Sequence, residues 1–198
     1  IFPVLQDAGV DRNALYLAWD FTVASERNLA ERILHMRDDA FGRILGDTNL
    51  ADRVVQGSSP EFTVDETEIR TDSWTDSNGQ SFTRQYRRVH GRVTVPNYMD
   101  RIQQTEGHLR PNELPYDAPA PGSRLLDLDL DGLPDQNPAE PTVNVPYVCD
   151  VPLNGQRNSA ILYGHGLLGD RGQIGDATKS PLRDGPFYSC AADWWGMS

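Results

Sequence analysis

The stretch ILYGHGLLGD, residues Ile161 to Asp170, is the most informative part of this sequence. An apolar, strand-like run ends in a Gly-His-Gly turn, where the two glycines leave the backbone sterically open. Backbone N–H groups in such a turn can point into a cavity, and donors of this kind stabilise the oxyanion that forms when a nucleophile attacks an ester or amide carbonyl. The alternative interpretation is a glycine-rich connector between a strand and a helix, without a chemical role.

The segments around this turn predict a β-α-β pattern. Residues 158–163 read as a short apolar strand, and residues 178–184 as part of a poorly periodic helix. Residues 187–195 read as a second short strand. Strands that alternate with helices are typical of an α/β sheet.

The beginning of the chain predicts a strand followed by a helix. Asn13 to Ser25 is rich in aromatic and β-branched residues that alternate as in a strand, and Ser25 can cap a following helix. Apolar residues then recur at helical spacing until Gly46, namely Leu29, Ile33, Ala40, Phe41 and Ile44.

A β-hairpin is predicted next. Residues 61–73 and 81–95 are both strand-like, and the polar stretch between them carries the Asn78-Gly79 signal of a tight turn. Pro96 should end the second strand or place it at an edge. Residues 1 to about 105 therefore look like an α+β unit.

The texture changes to proline, glycine and aspartate from Arg110 to Pro146, which predicts a connecting segment without regular structure. Within it, aspartates alternate at positions 1, 3, 5 and 9 of a loop with Gly132 at position 6. A calcium ion takes several oxygen ligands at once, and a glycine at this position permits the sharp turn around it. The predicted ligands are Asp127, Asp129, Asp131, Asp135 and the backbone carbonyl of Leu133, at position 7.

The match to a calcium loop is partial. The twelfth position, where an EF-hand has a bidentate glutamate, is Pro138, and Glu140 is close enough to substitute. The loop resembles the calcium loops of dockerins and thrombospondin repeats. A bound Ca²⁺ would have a structural role, whereas the alternative is a solvated acidic turn that binds nothing.

Composition excludes some classes of partner. The net charge of -11 argues against nucleic acid, because phosphate binding needs a concentrated basic surface. No apolar run approaches the roughly 20 residues that span a bilayer, so no transmembrane segment is expected. The two cysteines, Cys149 and Cys190, are either two buried free thiols or a disulfide, and the acidic loop favours the disulfide of an exported protein.

Two segments together resemble a known family. The strand and turn at ILYGHGLLGD, and Asp193 to Ser198 (DWWGMS), are similar to secreted bacterial α/β-hydrolases of the lipase and esterase type that carry an additional N-terminal domain. The run LAWDFTVAS and the strand closing on Val93 to Pro96 resemble that N-terminal domain. The resemblance covers about two thirds of the chain, and only the first two segments are specific.

The resemblance implies roles for three residues. Gly166 and Leu167 become the residues of the oxyanion turn, with the Leu167 amide as donor, and His165 shapes the turn without being the triad base. The fold's nucleophile belongs to a Gly-x-Ser-x-Gly motif, and this chain contains no complete copy. Ser198 completes only half of such a motif, and in the resembled families the nucleophile comes considerably later.

The sequence therefore predicts an α/β fold, in which an α+β N-terminal domain (1–109) and a Pro/Asp-rich linker with a candidate calcium loop (110–146) precede an incomplete α/β-hydrolase domain (147–198). We expect the N-terminal part of a serine carboxylic-ester hydrolase, inactive alone, whose remaining C-terminal segment supplies the triad and which acts on an ester or lipid-like substrate. Its expected location is extracellular, periplasmic or at the cell surface of a bacterium. The alternative is a calcium-stabilised extracellular binding module without catalytic activity.

Overall fold

The computed structural model describes residues 1–19, 23–25, 27–54, 56–105, 114–153, 159–177 and 187–194. Its helices are α1 (Phe2–Asp7), α2 (Arg32–Asp38) and α3 (Ile174–Ala177), and π-helical turns flank α2 at Arg27–Glu31 and Asp39–Leu45. Single 3₁₀ turns lie at Arg12–Ala14, Leu50–Asp52 and Arg171–Gln173. The strands are β1 (Phe62–Thr75), β2 (Ser81–Pro96), β3 (Ile102–Thr105), β4 (Tyr116–Pro119), β5 (Thr142–Pro152), β6 (Ala160–Tyr163) and β7 (Tyr188–Ala192).

Five of these strands form one sheet in the order β1-β2-β5-β7-β6, and β3 pairs with β4 in a small second sheet. The pairs in the large sheet are antiparallel except for β6 and β7, which are parallel. Strands account for 37% of the structure and helices for 21%. The predicted α/β class is therefore wrong, and the fold is β-rich, because the long β1–β2–β5 antiparallel unit outweighs the short parallel pair from which α/β alternation was extrapolated.

The predicted hairpin is confirmed. β1 and β2 pair from Phe62↔Val93 to Thr75↔Ser81, and Gly79 takes the left-handed conformation, with φ 81°, that favours glycine in this turn. The Asp76 carboxylate accepts hydrogen bonds from the Asn78 and Gln80 amides. β2 ends at Pro96, as the missing proline N–H predicts.

The predicted connecting segment contains more regular structure than expected. β4 lies inside this segment, and β5 begins at Thr142, before the predicted end of the segment at Pro146. β5 pairs with β2 along its whole length, from Tyr86↔Pro152 to Pro96↔Thr142. One sheet therefore joins strands from both sides of the segment, and the domain boundaries stay a prediction.

The first predicted strand is wrong where the structure describes it. Residues 13–19 and 23–25 contain no strand, and Tyr16 and Trp19 are exposed. β-propensity reflects packing against a partner strand, and none is present among the described residues. The predicted helix is confirmed at Arg27–Leu45 and ends at Gly46 in the left-handed conformation, although Leu29 on its apolar stripe is 73% exposed.

The core lies where β5, β7 and α3 meet. Val148, Ile174 and Ala191 are fully buried and Tyr163 packs against them. The Arg88 guanidinium crosses from β2 to the Asp150 carboxylate on β5 through two hydrogen bonds of 2.6 and 2.7 Å, and both side chains are buried.

A disulfide joins Cys149 on β5 to the directly opposite Cys190 on β7, with Cα atoms 4.1 Å apart, which confirms the predicted pairing. Among the described helices, none has the length and apolar character needed to cross a membrane.

Candidate functional site

The Gly-His-Gly turn begins directly after β6. Gly164 lies against the Trp194 indole ring, and a Cβ at this position would come within 2.9 Å of that ring. The close approach requires glycine, because any side chain would push the turn away from the residue that follows β7. Trp194 thus becomes part of the candidate site; the sequence marked it only as a member of the segment DWWGMS, without a role.

His165 is buried and both ring nitrogens are used by the backbone. Nε2 accepts a hydrogen bond of 2.9 Å from the Trp194 N–H, so it carries no proton, and Nδ1 then donates to the Gly166 carbonyl at 2.9 Å. This arrangement fixes a neutral tautomer and leaves no ring nitrogen for proton transfer. The predicted role of His165 in shaping the turn, and not as the triad base, stays a prediction.

A tight turn follows from Gly166 to Gly169. The Gly169 N–H donates to the Gly166 carbonyl at 2.9 Å, and Leu168 has a positive φ of 59°, as the third residue of a type II turn does. The Gln173 side chain reaches back across the turn, and its Oε1 accepts the Gly166 N–H at 3.0 Å. The Gly166 amide is therefore already used.

The Leu167 amide, like that of Leu168, differs from the hydrogen-bonded amides of Gly166 and Gly169. Within the described part of the chain no group accepts a hydrogen bond from it, and the Leu167 side chain is 73% exposed. Of the two residues predicted for the oxyanion turn, Gly166 has its N–H bound to Gln173, and Leu167 has no acceptor among the described residues. Their oxyanion role stays a prediction.

The far end of the turn is anchored by an ion pair. The Asp193 carboxylate accepts the Arg171 backbone N–H at 2.7 Å and the Arg171 guanidinium at 2.5 Å, and the guanidinium lies over the Tyr116 ring at 5.1 Å. Burial raises the pKa of the Tyr116 hydroxyl, and the charges of Asp193 and Asp170 raise it further. Sequence reasoning missed this cluster, because its members come from three distant segments.

An apolar cavity of about 630 Å³ extends from Asp193. Its polar lining groups are already engaged: Asp193 binds Arg171, the Tyr98 hydroxyl donates to Asp39, and the Ser123 hydroxyl lies within hydrogen-bonding distance of Asp100. The remaining lining comes mainly from methionine, valine, proline and leucine side chains, among them Met36, Val95, Pro96, Met99, Leu125 and Val145.

The aspartate loop brings together three of its predicted ligands. Carboxylate oxygens of Asp127, Asp129 and Asp135 lie within 4.8 Å of one another, whereas Asp131 and Glu140 do not belong to this group. One oxygen of Asp127 accepts the Gly132 N–H, and the other, Oδ1, is buried and has no hydrogen-bond partner among the residues that the structure describes. Leu133 donates its N–H to Asp131, and its carbonyl remains a predicted ligand.

No complete nucleophile–base arrangement occurs among the described residues. Both cysteines are in the disulfide, His165 is used by the backbone, and His90 lies 3.7 Å from Glu68 on the hairpin. His108, Ser198 and the helix predicted at 178–184 lie outside the described residues. The chain matches no protein-family model, no curated protein and no solved structure.

Proposed function

We propose that this chain supplies the oxyanion turn of a serine carboxylic-ester hydrolase of the lipase or esterase type, whose nucleophile, acid and base lie in sequence outside it. The supporting observation is the Leu167 N–H, which is left available while the neighbouring amides of Gly166 and Gly169 are used to hold the turn. A donor that is fixed before the reaction begins stabilises an oxyanion without reorganisation. The family resemblance at ILYGHGLLGD and DWWGMS points in the same direction.

The apolar cavity fits an ester substrate that has an apolar part. The cavity next to Asp193 offers an apolar lining, and the polar groups around it are already hydrogen-bonded within the protein. An apolar substrate chain could enter this cavity without breaking hydrogen bonds of the protein, whereas a charged substrate group would find no side-chain partner among the lining residues.

The proposal is tested by removing one N–H group. Proline is favoured at the second position of a type II turn, so Leu167→Pro should keep the turn and delete the donor. In the full-length protein we expect kcat for a nitrophenyl ester to fall by about 10²- to 10³-fold, the usual effect of losing one oxyanion donor. Labelling of the serine by a phosphonate probe should slow in parallel.

Leu167→Ala is the matched control, because it removes the same side chain and keeps the N–H. It should retain kcat within about threefold, well below the loss expected for a missing oxyanion donor. Equal losses in the two variants would mean that the side chain matters and the amide does not. A wild-type protein that neither hydrolyses esters nor becomes labelled would exclude the hydrolase.

We also infer an exported protein, located outside the cytoplasm of a bacterium. The Cys149–Cys190 disulfide supports this location, because disulfides persist in oxidising compartments. Labelling of the cysteines with a thiol reagent in intact cells tests it. Free thiols in the native protein would contradict an exported state.

A second candidate function is that of a calcium-stabilised binding module. Three carboxylates held within 4.8 Å repel one another, and the buried Asp127 Oδ1 has no hydrogen-bond partner in the described chain. A Ca²⁺ ion at this place would neutralise the repulsion and provide that partner. Its role would be structural, with the ion ordering the loop between β4 and β5.

Thermal unfolding with and without Ca²⁺ tests this second candidate. A concentration about 100 times the Kd should stabilise the protein by about 2.7 kcal/mol, which raises Tm by about 5–10 °C for a chain of this size. Asp129→Asn should abolish the rise, and Glu140→Gln, which removes a charge in the same segment, should not. No shift in the wild type would exclude the ion.

A further inference from the structure

We propose that Asp193 is a positioning residue for the turn from Gly164 to Gly169, acting through Arg171 and Gln173. This inference rests on the proposed function, because it names what holds the Leu167 amide in place. Asp193 directly follows β7, and its carboxylate binds Arg171 rather than the turn itself among the described residues.

Asp193 holds Arg171 through two hydrogen bonds. One carboxylate oxygen accepts the Arg171 backbone N–H and the other accepts the guanidinium, so the bond fixes the main chain as well as the side chain. The two side chains are only 6% and 9% exposed, and such a pair is screened little by solvent. The Tyr116 ring lies beneath the guanidinium, with its centre 5.1 Å from the central carbon.

Arg171 is linked to the turn through Gln173. Arg171 opens the single 3₁₀ turn Arg171–Gln173, whose start is capped by the Asp170 carboxylate on the Gly172 N–H. A 3₁₀ turn holds its first and third residues in a fixed relation. Gln173 is therefore placed by Arg171, and its Oε1 accepts the Gly166 N–H.

The turn is also held at its beginning by the residue after Asp193. The Trp194 N–H donates to His165 Nε2, and the Trp194 ring contacts Gly164. Two consecutive residues after β7 thus hold the loop at both ends, Trp194 at His165 and Asp193 at Arg171. The Leu167 amide lies between these two anchors.

Amide hydrogen exchange of the full-length protein tests the positioning directly. Asp193→Asn keeps the size of the side chain but turns an amide NH₂ toward the guanidinium or the Arg171 N–H. We expect exchange of the hydrogen-bonded Gly166 and Gly169 amides within residues 164–169 to accelerate about tenfold or more, as for a loop that opens locally. In the ester assay kcat should fall about tenfold or more with KM unchanged, because a misplaced donor affects the transition state.

The matched control is Asp65→Asn, which breaks the comparable ion pair of Asp65 with Arg92 on the β1–β2 hairpin. It should leave exchange at 164–169 and the ester kinetics unchanged. If Asp193→Asn does not fold, Gln173→Leu serves instead, because Gln173 is exposed and only the last contact of the series is lost. That variant should also accelerate exchange at 164–169, with Tm unchanged.

The two proposals fail in different ways. Unchanged exchange at 164–169 in Asp193→Asn, or an equal effect of Asp65→Asn, would overturn the positioning role even if the wild type is labelled by the phosphonate. A wild type that is not labelled would exclude the hydrolase, and accelerated exchange in Asp193→Asn would still establish that Asp193 holds the turn.

Discussion

The buried His165 side chain stabilises the turn through two hydrogen bonds to the backbone. Replacing it by alanine leaves the Trp194 N–H and the Gly166 carbonyl without their partner. Each hydrogen bond contributes about 0.5–1.5 kcal/mol, so we expect His165→Ala, which removes both, to lower the free energy of unfolding by about 1–3 kcal/mol. Urea unfolding measures it, and His35→Ala on α2 is the control, with an expected change within about 0.5 kcal/mol. An equal loss in both variants would contradict the bridging role.

Arg88 and Asp150 form the most deeply buried ion pair of the described chain. Burial disfavours the charge on Arg88, yet the two hydrogen bonds to Asp150 outweigh it and raise the pKa of the guanidinium. Arg88→Met alone should destabilise the protein by about 3–5 kcal/mol, because it removes the cation that balances the buried Asp150 carboxylate. The double variant Arg88→Met/Asp150→Leu should recover most of the loss in urea unfolding. A double variant as unstable as the single one would contradict this account.

At the scale of residues, the sequence located part of the site. Glycines and a histidine after an apolar strand were visible locally, and so was the aspartate spacing that the structure brings together at Asp127, Asp129 and Asp135. Asp193 and Gln173 were not predicted, because their roles depend on contacts across 22 and 7 residues of chain. No periodicity or motif encodes such contacts.

At the scale of elements, the disulfide binds β5 to β7 directly beside the core. The two cysteines are 41 residues apart, and the entropy of closing a loop of that length predicts about 4 kcal/mol of stabilisation. We expect the double variant Cys149→Ser/Cys190→Ser to lose about this free energy of unfolding. Reduced wild-type protein is the matched comparison and should unfold at the same urea concentration as the variant. A loss below about 1 kcal/mol would mean that the sheet holds β7 without the covalent bond.

The helical segment from Arg27 to Leu45 is joined to the rest by Asp39. Its carboxylate accepts hydrogen bonds from Arg43 and from the Tyr98 hydroxyl, and the Arg43 bond, followed by the Tyr98 bond, lowers the pKa of Asp39 despite its burial. A carboxyl whose pKa is lower in the folded than in the unfolded state stabilises the protein when the pH is above the unfolded-state pKa, near 3.8. This stabilisation is lost as the pH falls through the lower folded-state pKa.

The effect of Asp39→Asn on the free energy of unfolding should therefore depend on pH. Between pH 7 and pH 5 the difference in free energy of unfolding between wild type and Asp39→Asn should be constant at about 2 kcal/mol, and it should shrink below about pH 4. Urea titrations at several pH values measure it. Asp38→Asn, on the neighbouring exposed carboxylate, is the control and should show little difference at any pH. A difference that grows on acidification would have the wrong sign for this link.

Elements were predictable where their determinants are local. The β1–β2 hairpin followed from alternation and one Asn-Gly pair, and the helix end followed from Gly46. The strand expected at 13–25 has the same propensity but no partner in the described residues. The α/β class is wrong because the two short parallel strands do not represent the sheet, which is mostly antiparallel. Which strands become neighbours is decided by long-range pairing, such as β2 with β5.

At the scale of the whole molecule, the sheet order implies a gradient of stability. β5 lies in the middle and is paired on both sides over Tyr147 to Asp150. The end of the hairpin, residues 70–85, extends beyond β5 and, within the described ranges, its two strands pair only with each other. Amides in the middle of β5 should therefore exchange only on global unfolding, and amides of the hairpin end through local opening.

This gradient can be tested with one core substitution. Val148 is fully buried, and Val148→Ala should reduce the free energy of unfolding by about 2 kcal/mol. Exchange of the amides at 147–150 should then accelerate roughly 30-fold, because it follows the global equilibrium, while exchange at 70–85 stays unchanged. Thr71→Ala on the exposed face of the hairpin is the converse control and should leave the β5 amides unaffected. If the hairpin amides accelerate as much as those of β5, the hairpin end opens only with the whole sheet, and the molecule unfolds as one unit from edge to centre.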